Sequence, residues 1–131
     1  KRLSAISGIF DGISDLYREA TQEEVADFLD NDFISLQDNF SADKVKQANR
    51  KRIAMAVDTI RRFDDTQRSA VFGCIRDYCP GLIAEDGTFN ISNEQDLKLL
   101  LYGIEQRFYT TPDGRERRIA NSIIPINQRG N

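Results

Sequence analysis

The side chains able to do chemistry are two thiols, Cys74 and Cys79, 21 aspartates and glutamates, and 18 lysines and arginines; histidine is absent. Without imidazole the chain cannot assemble a Ser-His-Asp or Cys-His nucleophile, and it lacks the usual general base near neutral pH. A ribonuclease mechanism that depends on imidazole is excluded on the same ground. The spacing of Cys74 and Cys79 puts them about one turn apart on a helix. Two thiols without histidine do not make a tetrahedral zinc set. They read as two buried, reduced thiols, which fits a reducing cytosol and predicts a cytoplasmic protein. The adjacent carboxylates Asp64/Asp65 and Glu85/Asp86 could hold Mg²⁺, but helix-cap and turn roles account for them more simply. The 8 glycines are scattered and form no phosphate-cradling loop. The expectation is a domain with no catalytic residue, no metal and no cofactor. The only enzyme these residues allow is a carboxylate site completed by another subunit.

The positive charge is more informative. From Asp11 to Asp43 there are ten acidic residues and a single base, Arg18. From Lys44 to Arg62 there are seven bases, Lys44, Lys46, Arg50, Lys51, Arg52, Arg61 and Arg62, against a single acid, Asp58. The overall charge of −3 conceals this segregation. Arg115, Arg117 and Arg118 add a second basic group beside a turn. Two readings follow. Either the basic stretch packs against the acidic one and the charges offset each other in a solvated surface, or it meets phosphates or an acidic protein. Arginines on a hairpin also deter edge pairing. No aromatic residue is interleaved among the bases of 44–62, which disfavours single-strand stacking there. A separate apolar group, Phe33, Ile34, Leu36 and Phe40, is the candidate protein interface.

These residues must be positioned by a domain of ordinary size. The chain has 131 residues with 40% hydrophobic and 30% charged side chains, enough for a core. It starts at Lys1, and so reads as a processed product or one piece of a longer protein. No apolar run approaches the ~20 residues that span a bilayer, so membrane insertion is not expected. Residues 1–124 read as one mostly helical domain, and 125–131 as a frayed tail.

Leu3, Ile6, Phe10, Ile13 and Tyr17 recur at helical spacing. Thr21 to Glu24 is a capping box, and the helix it opens turns Val25, Phe28 and Leu29 inward. Ser41 is the expected cap of a basic helix running to about Arg62, with Val45, Ala48, Ala56, Val57 and Ile60 as its buried stripe. Asp64 to Gln67 opens a further helix that buries Val71, Phe72, Ile75 and Tyr78 and stops at Pro80-Gly81. Glu85-Asp86-Gly87 reads as the turn of a small hairpin joining Leu82-Ile83 to Phe89-Ile91. Ser92 to Gln95 is a third capping box, before a helix with Leu97, Leu100, Leu101, Ile104 and Phe108 on one side. Thr111-Pro112-Asp113-Gly114 is a turn, and the chain returns as a strand from Arg117 to Ile124. The predicted fold is α-rich α+β: a helical bundle with a short internal hairpin and a C-terminal β-hairpin, loosely winged-helix-like.

From Asn49-Arg50-Lys51-Arg52-Ile53 onward, through Asp77-Tyr78-Cys79-Pro80, Phe89-Asn90-Ile91, Asp96-Leu97-Lys98-Leu99-Leu100 and a basic hairpin to Ser122, the layout resembles the C-terminal part of the KwaB-like proteins of Kiwa anti-phage systems. The resemblance covers roughly residues 49–124. It implies anti-phage defence, a cytoplasmic location, DNA contact and a membrane-protein partner. The residues themselves predict a non-catalytic binding domain that contacts nucleic acid or an acidic partner. The alternative is a protein–protein or oligomerisation module with no nucleic-acid contact.

Overall fold

The structure, a computed structural model, describes residues 18–121. The predicted helix Leu3–Tyr17, residues 122–124 of the predicted strand and the tail from Pro125 lie outside the described residues, and that strand ends at Ile119, short of the expected Ile124.

Among the described residues four helices and four short strands follow in the order α1 (Gln22–Leu29), β1 (Ile34–Leu36), α2 (Gln47–Arg61), α3 (Asp65–Tyr78), β2 (Phe89–Ile91), α4 (Glu94–Ile104), β3 (Phe108–Thr110) and β4 (Arg117–Ile119). The fold is α-rich α+β. Among the described residues no helix is long and apolar enough to cross a membrane.

The helix starts written as contiguous motifs form as such. Thr21 Oγ1 accepts from Glu24 N at 3.1 Å, and Glu24 Oε1 accepts from Thr21 N at 2.8 Å. Arg18 Nη1 also binds Glu24 Oε1 at 2.8 Å. That arginine and the Thr21 amide hold the Glu24 carboxyl below its ordinary range. Asp64 and Gln67 repeat the exchange at the head of α3, at 2.7 and 2.9 Å.

At α4 the cap moves by one residue. Asn93 Oδ1 accepts from Asp96 N at 2.8 Å, while Asp96 Oδ2 takes both the amide and the hydroxyl of Ser92. Two overlapping frames with the same three-residue spacing compete here, and the amide oxygen of Asn93 takes the cap.

The basic helix starts later than expected, at Gln47. Ser41 closes a local turn with Asp43, and Ala42–Lys44 forms one 3₁₀ turn. Val45 then runs extended and is buried. Lys46 N donates to Glu94 Oε1 of α4 at 3.0 Å. The acceptor at the start of α2 thus comes from another helix, which no local spacing reveals. Of the expected stripe Val45 and Ala56 are buried, Val57 and Ile60 half-buried and Ala48 exposed, and Asn49, Ile53 and Ala54 complete the buried face.

The expected internal hairpin reduces to a single antiparallel bridge, Ile83 to Phe89. β2 instead pairs in parallel with β1, in the register Ile34 to Phe89, Ser35 to Asn90 and Leu36 to Ile91. Residues 33–40 are therefore built into the fold. Phe33 and Phe40 are core side chains, Ile34 is half-buried, and of these four apolar residues Leu36 alone is exposed. Phe33 lies in a run of aromatic contacts, with ring centroids 6.1 Å from Phe28 and 4.8 Å from Phe72; Phe72 in turn lies 5.6 Å from Phe89. Beyond this cluster, α2 and α3 both pack on α4, whose Leu97, Leu100, Leu101 and Ile104 are fully buried.

The terminal hairpin forms antiparallel, pairing Phe108 with Ile119 and Thr110 with Arg117. Those four side chains share one face of the ribbon. Phe108 and Thr110 meet Tyr78 at the end of α3, through ring stacking at 5.5 Å and a hydroxyl contact at 2.6 Å. Phe108 thus belongs to this hairpin rather than to α4.

Candidate nucleic-acid interface

Of the seven bases of the 44–62 stretch, Arg50, Lys51, Arg52 and Arg61 lie in α2, and Lys46 and Arg62 cap its ends. Arg50 and Arg61, eleven residues or about three turns apart, turn toward the acidic segment. Arg50 Nε lies 3.9 Å from Glu19, and its Nη1 donates to Gln22 Oε1 at 3.0 Å. Arg61 pairs with Asp58 at 3.8 Å and shares a shallow recess with Glu24 and Asp27 of α1. Lys51 and Arg62 have the same eleven-residue spacing and lie about 100° round the helix from that pair, toward Arg52 and Met55. None of Lys46, Lys51, Arg52 and Arg62 makes an ion pair among the described residues. Lys44 lies outside the helix and donates to the Asn39 carbonyl at 2.9 Å.

The hairpin arginines are differently placed. Arg117 lies 4.4 Å over the Tyr78 ring, and it binds the carbonyl and carboxylate of Asp77 at 2.6 and 3.3 Å. Arg118 pairs with Glu116 at 3.0 Å. Of the three, only Arg115, at the turn, leaves its side chain without a partner among the described residues. Arg117 fastens the hairpin to α3, so its charge is not free for a ligand.

A cationic cluster that the sequence did not single out sits where α2, α4 and the base of the hairpin meet. Arg52, Arg107 and Lys98 lie 4.9, 5.3 and 5.7 Å from the centroid of the Tyr102 ring. Arg52 is held on both sides, with Nη1 donating to Asn49 Oδ1 at 2.8 Å and Nη2 to Tyr102 Oη at 3.1 Å. Asn49, itself buried, donates to the Glu94 carbonyl and to its Oε1, each at 3.0 Å.

Arg107 reaches the cluster through the way α4 ends. Gln106 adopts φ 59°, Gln106 N donates to the Gly103 carbonyl at 2.9 Å, and Arg107 N donates to the Tyr102 carbonyl at 3.1 Å. That is the double bond pattern of a Schellman ending. It turns the chain so that Arg107 folds back over the residue that accepts its amide. The signal for this cluster was weak. Lys98 and Tyr102 are four apart on one helix face, but glutamine fills the left-handed position usually marked by glycine, and Arg107 lies outside both basic runs.

Asn49→Leu removes three hydrogen bonds from this network at nearly constant volume. It is expected to lower stability by about 1–3 kcal/mol, because the Glu94 carbonyl and the inner edge of Arg52 lose their partner. Urea unfolding measures this; an unchanged midpoint would show that the network does not hold α2 to α4.

The remaining chemistry-bearing residues have structural surroundings. Cys79 is half-buried, but Cys74 is exposed, correcting the expectation of two buried thiols, and both are free. Partial desolvation raises both thiols, aided at Cys74 by Asp77 and at Cys79 by Cys74, with Arg117 opposing at each. Asp64 caps α3, and Asp86 is occupied by the amide and hydroxyl of Thr88, which hold its carboxyl low. Among the described residues no cluster of three or more cysteine, aspartate and glutamate side chains is arranged to hold a metal ion. Comparison of the chain with protein-family models, curated proteins and solved structures gives no match.

Proposed function

We propose that this chain is a non-catalytic binding domain that holds nucleic acid, through its phosphates, on the face formed by α2, α4 and the base of the terminal hairpin. The observation that carries this reading is the division of charge on α2. Arg50 and Arg61 are engaged on the side of the acidic segment, whereas Lys51, Arg52 and Arg62, farther round the helix, make no ion pair among the described residues. Lys98 and Arg107 of the adjoining elements extend the same positive field. Such a field recognises a phosphate backbone without reading base sequence. The layout resemblance to KwaB-like proteins supports the same reading and adds a role in cytoplasmic anti-phage defence.

The informative substitutions avoid the arginines that hold the fold. Lys51→Gln with Arg62→Gln leaves Arg50 and Arg52 in their networks. The parent is expected to bind a 20-base-pair duplex at 50 mM salt, with affinity falling linearly on a log–log salt plot. The double variant is expected to bind about tenfold more weakly and to flatten the slope by about 0.9 for each phosphate it no longer neutralises. A parent chain that fails to bind DNA or RNA at low salt removes the nucleic-acid reading.

A second reading rests on a groove of about 480 Å³ between the end of α3 and the hairpin, lined by Tyr78, Leu82, Leu99, Phe108 and the exposed Ile119. It supports a protein partner or self-association there. Light scattering on a strictly monomeric chain would count against self-association.

A further inference from the structure

The recess beside Tyr102 has a volume of about 230 Å³ and is lined by Arg52, Met55, Leu101, Tyr102, Glu105, Arg107 and Asn121. That is below the range of roughly 300–1,000 Å³ typical for whole small-molecule ligands. It suits one compact group rather than a nucleotide.

Its charge is unbalanced. Arg52, Lys98 and Arg107 crowd one ring, and among the described residues none of them lies within salt-bridge distance of a carboxylate. Glu105 is the sole acid in the lining, and its Oε2 is engaged by Thr59 Oγ1 at 2.7 Å. Arg107 Nη1 donates to the carbonyls of Ala120 and Asn121, but its enclosed Nε has no partner among the described residues. Three like charges gathered on one ring repel, and the face of the ring offsets this only in part.

We infer that this recess binds a phosphate monoester group, held by Arg52 and Arg107 with Lys98 beside them. The lining holds two cations and one carboxylate, and Lys98, outside the lining but 5.7 Å from the same ring, raises the local excess to about two positive charges. A monoester carries about −1.5 to −2 at neutral pH, whereas an internal diester carries one negative charge. Guanidinium groups match the oxygens of a phosphate in pairs. The Tyr102 face is already covered by cations, so the site holds the phosphate without stacking a base. In the setting of the proposed function, on which this inference rests, the group is the terminal phosphate of a strand. A free small phosphate ester presents the same chemistry.

The test compares one oligonucleotide with and without a 5′-phosphate, with inorganic phosphate as competitor. The phosphorylated strand is expected to bind about tenfold tighter. Millimolar inorganic phosphate is expected to erase that advantage, and Arg107→Gln to abolish it. Lys98→Gln, whose side chain makes no hydrogen bond among the described residues, is expected to weaken the advantage without altering the melting temperature, and so separates binding from folding. Equal binding of the two strands with no competition by phosphate overturns the monoester site, while the proposed nucleic-acid face survives. Inorganic phosphate binding that depends on Arg107, without retention of either strand, upholds the site for a small ester and overturns the nucleic-acid reading.

Discussion

Phe33→Ala is expected to destabilise the domain by about 3–5 kcal/mol, whereas Leu36→Ala, three residues away, should cost less than about 1 kcal/mol. Phe33 is 8% exposed and Leu36 is 37% exposed. The Phe33 ring touches Phe28 and Phe72 and is overlain by Arg68 at 5.9 Å, and its carbonyl accepts from Phe89 N at 2.8 Å. Truncation would open a cavity between α1, α3 and β2 that a close-packed interior fills only in part. Typical domains are stable by about 5–15 kcal/mol, so the loss would be a large fraction of the total. Urea unfolding of both variants decides the matter. A parent-like midpoint for Phe33→Ala would mean that residues 33–40 form a surface patch after all, and that the aromatic run does not carry the core.

The same residues show which parts of the fold were legible in the sequence. Thr21 with Glu24, and Asp64 with Gln67, were readable because both halves of each cap lie within one helical turn. The apolar pattern of α4 was readable because Leu97, Leu100, Leu101 and Ile104 repeat at helical spacing. β1 was not readable, since it has three residues and its partner β2 follows about fifty residues later, beyond two helices. An apolar run with no visible partner looks like an interface, and only the parallel pairing with β2 shows that Phe33 is core. The charge segregation was legible as a count. Which of its members are engaged was not, because the partners of Arg50, Glu19 and Gln22, come from a segment about thirty residues earlier. The Tyr102 cluster needed three elements and a glutamine in a left-handed turn to bring Arg52, Lys98 and Arg107 together. Each of its members is ordinary in its own segment.

The close approach of α3 to α4 depends on one missing side chain, and Gly103→Val tests that dependence with an expected loss of about 3 kcal/mol or more. A Cβ at position 103 would lie 2.8 Å from Ile75 Cδ1 and 2.9 Å from Phe108 Cε2. Real side chains do not approach so closely, so α3 or the hairpin would have to shift. Two opposing magnitudes decide the sign. Removing glycine from a helix interior gains at most about 1 kcal/mol, and a β-branched residue gains less of it. Overpacking costs about 1–3 kcal/mol for a few methylenes, and more where backbone must move. Valine adds three carbons at a point already filled by Ile75, which is fully buried. Gly103→Ala should show a smaller loss in the same direction. Pairing it with Ile75→Val should recover part of that loss, measured as a coupling in a double-mutant cycle. A valine variant as stable as the parent would place α3 farther from α4 than the approach of Ile75 to Gly103 requires. Phe108, which stacks on Tyr78 and anchors the hairpin, would move with any such wedge. Since the turn after Gly103 also carries Arg107, the glycine governs both the seating of the hairpin and the geometry of the proposed phosphate site.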